Sequence, residues 1–429
     1  MIQDVAIAIE GSFACVASGT KLPSLSGLTF YGLPAKRANW LEGKVETRAV
    51  RDLVRIGAYR HRDEAITVIN RTGSEAWGAA DGEKIRRWTG PIVLDFLIES
   101  IGDGGNYATY TLLPMMLLLL TSCRASAPST ATDAVATAGD ENSFTATDAS
   151  KFEVGRGFST VINNAVEHAL VTDKSGSHIS YHPATSAAIA LSALVRHAYT
   201  VYPTLGSGPS TACLRFNSDG RVHYAFGCRV SKLELSEQEG AITARITVEP
   251  AVILRSDGAA HAEWTEPGGH AVTMLGSYQV ISDNVRGVSA PATGTRSALS
   301  LRGWDATITW TLGAVGGGRE GIVGRSGTKI TDCQIEASIR GEANSTPAAM
   351  LRKSEERTLI LGCGPSGSGS GLNAQGMALA IMAAHPTGDA ETEEEDQIQE
   401  RHTFGGGRFT GDNASTYAAG TAWRLLFPL

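Results

Sequence analysis

Gly362, Gly364 and Gly367 stand in the spacing G-x-G-x-x-G within TLILGCGPSGSGSGL, residues 358–372, directly after a strand-like run. In a dinucleotide-binding unit, glycines so placed let backbone N–H groups approach a pyrophosphate. That unit also needs a second apolar strand closing on an acid about 20 residues later. Here residues 385–399 read HPTGDAETEEEDQIQ, a charged loop by pattern, and no Gly-Lys-Ser/Thr ending makes the glycines a P-loop. A glycine-serine loop is the reading that remains. His178 and His182, in HISYH, could supply two metal ligands, but His-x-x-x-His grips a metal well on a helix and nothing nearby extends the set. A structural or surface pair is expected. No G-x-S-x-G elbow marks a serine nucleophile. Asn70, Asn344 and Asn413 lie in N-x-S/T sequons, which matter only in a secreted eukaryotic chain. The sequence therefore nominates no catalytic residue, no cofactor-binding residue and no metal ligand, and the chain is not expected to be an enzyme.

The six cysteines, Cys15, Cys123, Cys213, Cys228, Cys333 and Cys363, show neither C-x-x-C nor zinc-finger spacing. Cys123 alone sits in a suggestive context: YTLLPMMLLLLTSCRAS, residues 110–126, resembles the end of a bacterial lipoprotein signal. Such a signal works at the extreme N-terminus. More than a hundred residues with folded character precede this one, and the apolar run 112–120 falls short of the roughly 20 residues that span a bilayer. A buried helix without a membrane anchor is expected, with Pro114 tolerated in its first turn.

The elements that would position any site are mostly strands. In AITARITVE, Ile242, Ala244, Ile246 and Val248 share one face, with Thr243, Arg245, Thr247 and Glu249 on the other. WDATITWTL repeats the pattern, with Trp304, Ala306, Ile308, Trp310 and Leu312 opposite Asp305, Thr307, Thr309 and Thr311, and CQIEASIR continues it. Such strands make antiparallel sheets with one wetted face, as in sandwiches and barrels. The apolar parity switches between Val230 and Leu233, which predicts a β-bulge. Two further helices are expected, over residues 183–199 (PATSAAIALSALVRHAY) and 372–384 (LNAQGMALAIMAA). Residues 125–150, small and polar, are expected to form a long mobile loop, and residues 385–402, with the acid block Glu393 to Asp396, a solvated one.

At 429 residues the chain exceeds the size at which one core stops growing, so two or three domains are expected. A composition 42% hydrophobic and 19% charged, with 49 glycines, is globular and turn-rich, and a net charge of -7 disfavours a grip on nucleic acid. Without a visible secretory signal, folding in a reducing cytoplasm is the default.

At FGCRVSKLELSEQEGAITARITVEPAVI, residues 226–253, the chain resembles the tail tube proteins of long-tailed bacteriophages, in which a G-C-x-V-type alternating strand leads through a polar turn into a second one. GPIVLDFLIES followed by TLLPMMLLLL matches the family's strand and flanking helix. The resemblance implies a mainly β, antiparallel sandwich or barrel of tail-tube type with a few flanking helices. WDATITWTL and ITDCQIEASIR echo the strand pair, with Cys333 where Cys228 stands, so a tandem duplication is expected: residues 1–255 as one tube-like domain, with an inserted segment at about 125–211, and residues 256–429 as a second. The implied function is a structural tail tube subunit, made in the host cytoplasm and resident in the virion. It would assemble into stacked hexameric rings, or pseudo-hexameric rings of three duplicated copies, that join other tail proteins and let DNA pass during ejection. Thr243, Thr247, Thr307, Thr309 and Thr311 are the candidate lumen-facing residues. The alternatives are another β-rich tail component, whether tail-completion, baseplate or decoration protein, or a surface-anchored bacterial binding protein.

Overall fold

The computed structural model describes residues 2–15, 25, 27–32, 91–98, 113–130, 132–218, 221–238, 241–256, 277–283, 296–298, 301–316, 327–341, 356–363, 377–394, 397–406 and 423–429, with short strand pieces at 36–37, 48–49, 64–66 and 85–87. The chain is mainly β, and its principal strands pair antiparallel throughout. In chain order the long elements are β1 (Ile2–Ile9), β2 (Ile92–Ile98), α1 (Leu113–Leu119), β3 (Cys123–Ser126), β4 (Thr132–Ala138), β5 (Ser143–Ala146), β6 (Gly157–Ile162), β7 (Ala165–Ser175), β8 (His178–His182), β9 (Leu194–Pro203) and β10 (Ala212–Ser218). The second half adds β11 (Arg221–Gln238), β12 (Ala241–Glu249), β13 (Val252–Ser256), β14 (Ser277–Asp283), β15 (Leu301–Val315), β16 (Gly327–Gly341), β17 (Arg357–Cys363), β18 (Met377–Glu394), β19 (Gln397–Gly405) and β20 (Trp423–Pro428).

The alternating strands meet in one main sheet, ordered β2-β12-β11-β15-β16-β19-β18. Its apolar face carries Leu233, Leu235, Ile242, Ala244, Ile246, Val248, Trp304, Ala306, Ile308 and Trp310, all buried in one core. Opposite lies a second layer, β14-β17-β18-β20-β9-β3, whose Leu359, Leu361, Leu379 and Leu425 enter the same core. Trp310 and Trp423 join the layers edge to face at 5.9 Å, and the Trp423 indole donates to Cys333 Sγ at 3.3 Å. The predicted bulge is present, a register shift between Val230 and Lys232 against β12.

β11 serves two sheets. Its first part, Val222 to Phe226, pairs with β13 on one side and β10 on the other, and its second part joins the main sheet. The bend falls at Gly227, whose φ of +66° favours glycine and whose Cβ would lie 2.7 Å from that of Ala251. The buried Glu10 carboxylate secures the bend, accepting from the N–H groups of Gly227 and Ala14 at 2.9 and 2.8 Å and from the Thr211 hydroxyl.

The leucine run folds as the expected helix, α1, with Pro114 in its first turn. Val230 N–H donates to Thr121 Oγ1 at 3.0 Å, Ser122 Oγ donates to Val230 O at 2.7 Å, and Arg229 donates to Thr121 O. A cation at a helix C-terminus satisfies carbonyls the helix cannot. Burial pulls the Arg229 guanidinium down to about 10, with Glu10 opposing the shift.

Four expectations are overturned. Residues 125–150 are β4, β5 and the end of β3, not an open loop, because Val135, Phe144 and Ala146 are buried and the backbone is paired. Together with β6, β7, β8 and the first part of β9 they close a six-stranded barrel, ordered β4-β5-β8-β7-β6-β9 and back to β4. Residues 183–199 are bends and turns leading into β9, and Met377 to Ala384 belong to β18; both strands are buried on both faces, which erases the alternation that marks a strand. The stretch 385–394 continues β18 and pairs with β19, so Glu393 and Glu394 of the acid block lie on a strand, while residues 395 and 396 lie outside the described residues. Apart from these, two ladders run between strands on either side of residue 255, β11 with β15 and β9 with β20.

Candidate assembly surface

The polar face of the main sheet is built by the alternation that builds its core. Register aligns Thr243, Ser236, Asp305, Ser338 and Thr403 in one cross-strand row, and Arg245, Glu234, Thr307 and Glu336 in the next. Thr247, Lys232, Thr309 and Gln334 form a third. All five candidate threonines therefore share one face of one sheet; Thr243, Thr309 and Thr311 are exposed, and Thr247 and Thr307 half-buried. This convergence of two distant strands comes from the β11–β15 ladder, which no local pattern announces.

Charges on this face neutralise one another locally. Lys232 Nζ meets Glu234 Oε1 at 2.7 Å, and Arg340 Nη2 lies 3.4 Å from Asp305 Oδ2. Ser236 Oγ donates to Asp305 Oδ1 at 2.6 Å, Arg401 Nη2 donates to Ser338 Oγ at 3.1 Å, and Gln334 Nε2 donates to Asp332 Oδ2 at 2.9 Å. These pairs are a third or more exposed, where an ion pair contributes on the order of 0–1 kcal/mol. The result is a wetted, nearly neutral, threonine-bearing surface without a concentration of cations.

The ends of the sheet differ. β2 pairs with β12 over seven residues without a register break. At the other end the β18–β19 hairpin shows a register shift between Pro386 and Gly388, then sets Glu391 opposite Glu400. Its root is fixed by buried His402, whose Nε2 lies 2.9 Å from Glu400 Oε2 and whose Nδ1 lies 3.6 Å from Asp389 Oδ1.

The residues that suggested chemistry are dispersed. Gly362 is in strand β17, where its Cβ would meet Met377 O at 2.8 Å; it is a glycine of close strand packing, while Gly364 and Gly367 lie outside the described residues. His178 is exposed and His182 buried on one strand, and four residues of strand separate them by about 13 Å, too far to share one metal. Among the described residues no group of three or more His, Cys, Asp or Glu could hold a metal ion. Cys123 sits in the main core: burial, with Cys333 adding, pushes its thiol well above the ordinary range, and burial raises Cys333 to about 12. Neither thiol is reactive in that state. Asn70, Asn344 and Asn413 lie outside the described residues. No described helix is long and apolar enough to cross a membrane.

Sequence reasoning missed the barrel. It has its own core, with Phe144 within 6 Å of Phe152, Phe158 and Tyr181 ring to ring. It packs on the outer face of the second layer through Leu170, beside Ala198, Ala378, Ala380 and Leu426. Arg424 donates to Gly155 O across this joint. Alternation in GFSTVI and HISYH was the available signal, diluted by small residues.

No protein-family model matches this chain, and no curated protein matches it significantly.

Proposed function

We propose that this chain is a structural virion protein, the tube subunit of a long-tailed phage tail, working by repeated self-assembly and without catalysis. The observation that carries the reading is the main sheet itself, one side sealed in a core and the other a polar, locally charge-paired field across β12, β11, β15 and β16. A lumen that passes DNA must be wetted without gripping phosphates, because each clustered cation adds a salt-dependent hold on the polyanion. The polar face meets that requirement, with Lys232 and Arg340 each beside a carboxylate.

In this reading β12, β11, β15 and β16 of each copy line the channel, and the barrel packs away from it against the second layer. The tail-tube type of sandwich and the tandem duplication belong to the same proposal: hairpins β11–β12 and β15–β16 stand side by side and would be the repeated units. Six copies, or three duplicated ones, would then close a ring. Electron microscopy of the purified chain, or of the particle it comes from, tests this. Stacked rings around an open channel are expected; a monomer at every concentration, or a solid fibre, defeats it.

A further inference from the structure

We propose that Asp305 and Glu234 stand where DNA phosphates would otherwise bind on the polar face of the main sheet, and so decide that duplex DNA slips past this face instead of being held. The inference rests on the tube reading above and names the residues that keep its grip weak. A surface holds a polyanion through cations free to meet phosphates. This face carries such cations. Arg340 on β16 and Arg401 on β19 are register partners, each two residues from the Ser338–Thr403 pair and therefore on the face that Asp305 shares. Their Cβ atoms lie about 5 Å apart, so two guanidinium groups start side by side, a seat that suits one phosphate.

Asp305 answers from the neighbouring strand β15. Its Oδ2 lies 3.4 Å from Arg340 Nη2, while its Oδ1 accepts the Ser236 hydroxyl of β11 at 2.6 Å, which fixes the carboxylate beside the arginine. Arg401 Nη2 donates to the Ser338 hydroxyl at 3.1 Å. On β11, Glu234 Oε1 lies 2.7 Å from Lys232 Nζ. Both ion pairs are open to water, where such pairs contribute little to stability, so holding the fold together does not account for them. Their effect falls on what approaches. A cation that already has a carboxylate beside it has little to gain from a phosphate, and the counterion release that drives DNA binding is lost.

The test uses the full-length chain and a short fluorescent DNA duplex, with binding read by anisotropy across a salt series and electron microscopy of the same samples. Asp305→Asn and Glu234→Gln keep the shape of each side chain on a wetted face, and the thermal transition checks that both variants are folded. Together they uncover two cations per copy. The double variant should bind about tenfold more tightly than the wild-type chain at low salt, with log affinity falling more steeply against log salt by about 2. Adding Arg340→Gln and Lys232→Gln should return the slope to its wild-type value. Glu141→Gln, in the exposed turn between β4 and β5, changes the net charge as much as either single substitution and should not move it. Variants that bind no better than wild type, or a gain that Glu141→Gln reproduces, overturn the masking role; rings in those samples leave the tube reading standing. Tighter, salt-steep binding by the double variant without rings at any concentration keeps the masking role and removes the tube reading. Neither rings nor any gain in binding removes both.

Discussion

The barrel and the main sheet are made of the same antiparallel ladders and end differently. Around the barrel each strand has a partner on both sides, from β4 through β5, β8, β7, β6 and β9 back to β4. Among the described residues the main sheet ends at β2 on one side and at the β18–β19 hairpin on the other. Closure removes the edges that invite another chain, and openness keeps them. In the proposed assembly the main sheet would make the contacts, with the barrel folded on its own core.

The largest effect that would break this contrast lies in the main core. Trp310 is buried and packs edge to face on Trp423. Trp310→Asp sets a charge where a large aromatic joins two layers, so the whole chain should fail to fold. Loss of soluble protein or of the cooperative thermal transition is the readout. A soluble variant with wild-type melting would mean that the layers do not depend on one another.

Phe144→Ala is aimed at the barrel alone. Phe144 touches three aromatic rings in a core separate from that of the main sheet. Removing it should cost about 3–5 kcal/mol, paid locally. Hydrogen exchange should speed up in residues 132–197 while β11, β12 and β15 keep their protection. Equal loss in both regions would make the barrel part of one cooperative unit.

Acid should divide the regions again, by about 3 kcal/mol at most. His197 is buried on the barrel strand β9, its ring 4.5 Å from that of Phe152, and burial followed by the nearby Arg156 lowers its pKa to about 4. An unfolded histidine titrates near 6.5. Between about pH 6.5 and 4 the unfolded chain takes up a proton the folded barrel refuses, so stability falls as pH falls, at about 1.4 kcal/mol per unit. Denaturant titrations across that window should show the slope, and His197→Phe should flatten it. An unchanged slope in the variant would assign the acid sensitivity elsewhere.

What the sequence disclosed follows the same division. Where one face is wet and one dry, as in Ile242 to Glu249 or Trp304 to Leu312, alternation reports both strand and burial, and the structure agrees residue by residue. Where both faces are dry, as from Met377 to Ala384, the pattern becomes a plain apolar run that resembles a helix. Residues 125–150 misled for a different reason: Val135 and Phe144 are few, and their burial depends on partners contributed by β7 and β8. The polar face was legible one strand at a time. Its assembly into a single surface depended on the β11–β15 pairing, which is a long-range fact.

The smallest expected effect falls on that surface. Thr309 is exposed, with Lys232 and Gln334 as its cross-strand neighbours. Thr309→Asp adds a carboxylate to a wetted face beside an ammonium group already paired with Glu234 at 2.7 Å. Nothing is buried and no backbone bond changes, so stability should move by no more than about 0.5 kcal/mol, in contrast to Trp310→Asp one residue along the same strand. Chemical denaturation of the two variants side by side measures both faces of β15 at once. A loss of several kcal/mol from Thr309→Asp would mean that this face is covered in the folded chain, and a covered face could not line a channel. If stability holds and rings still form, the added carboxylates gather around the lumen, repulsion toward DNA rises, and that repulsion should weaken with salt.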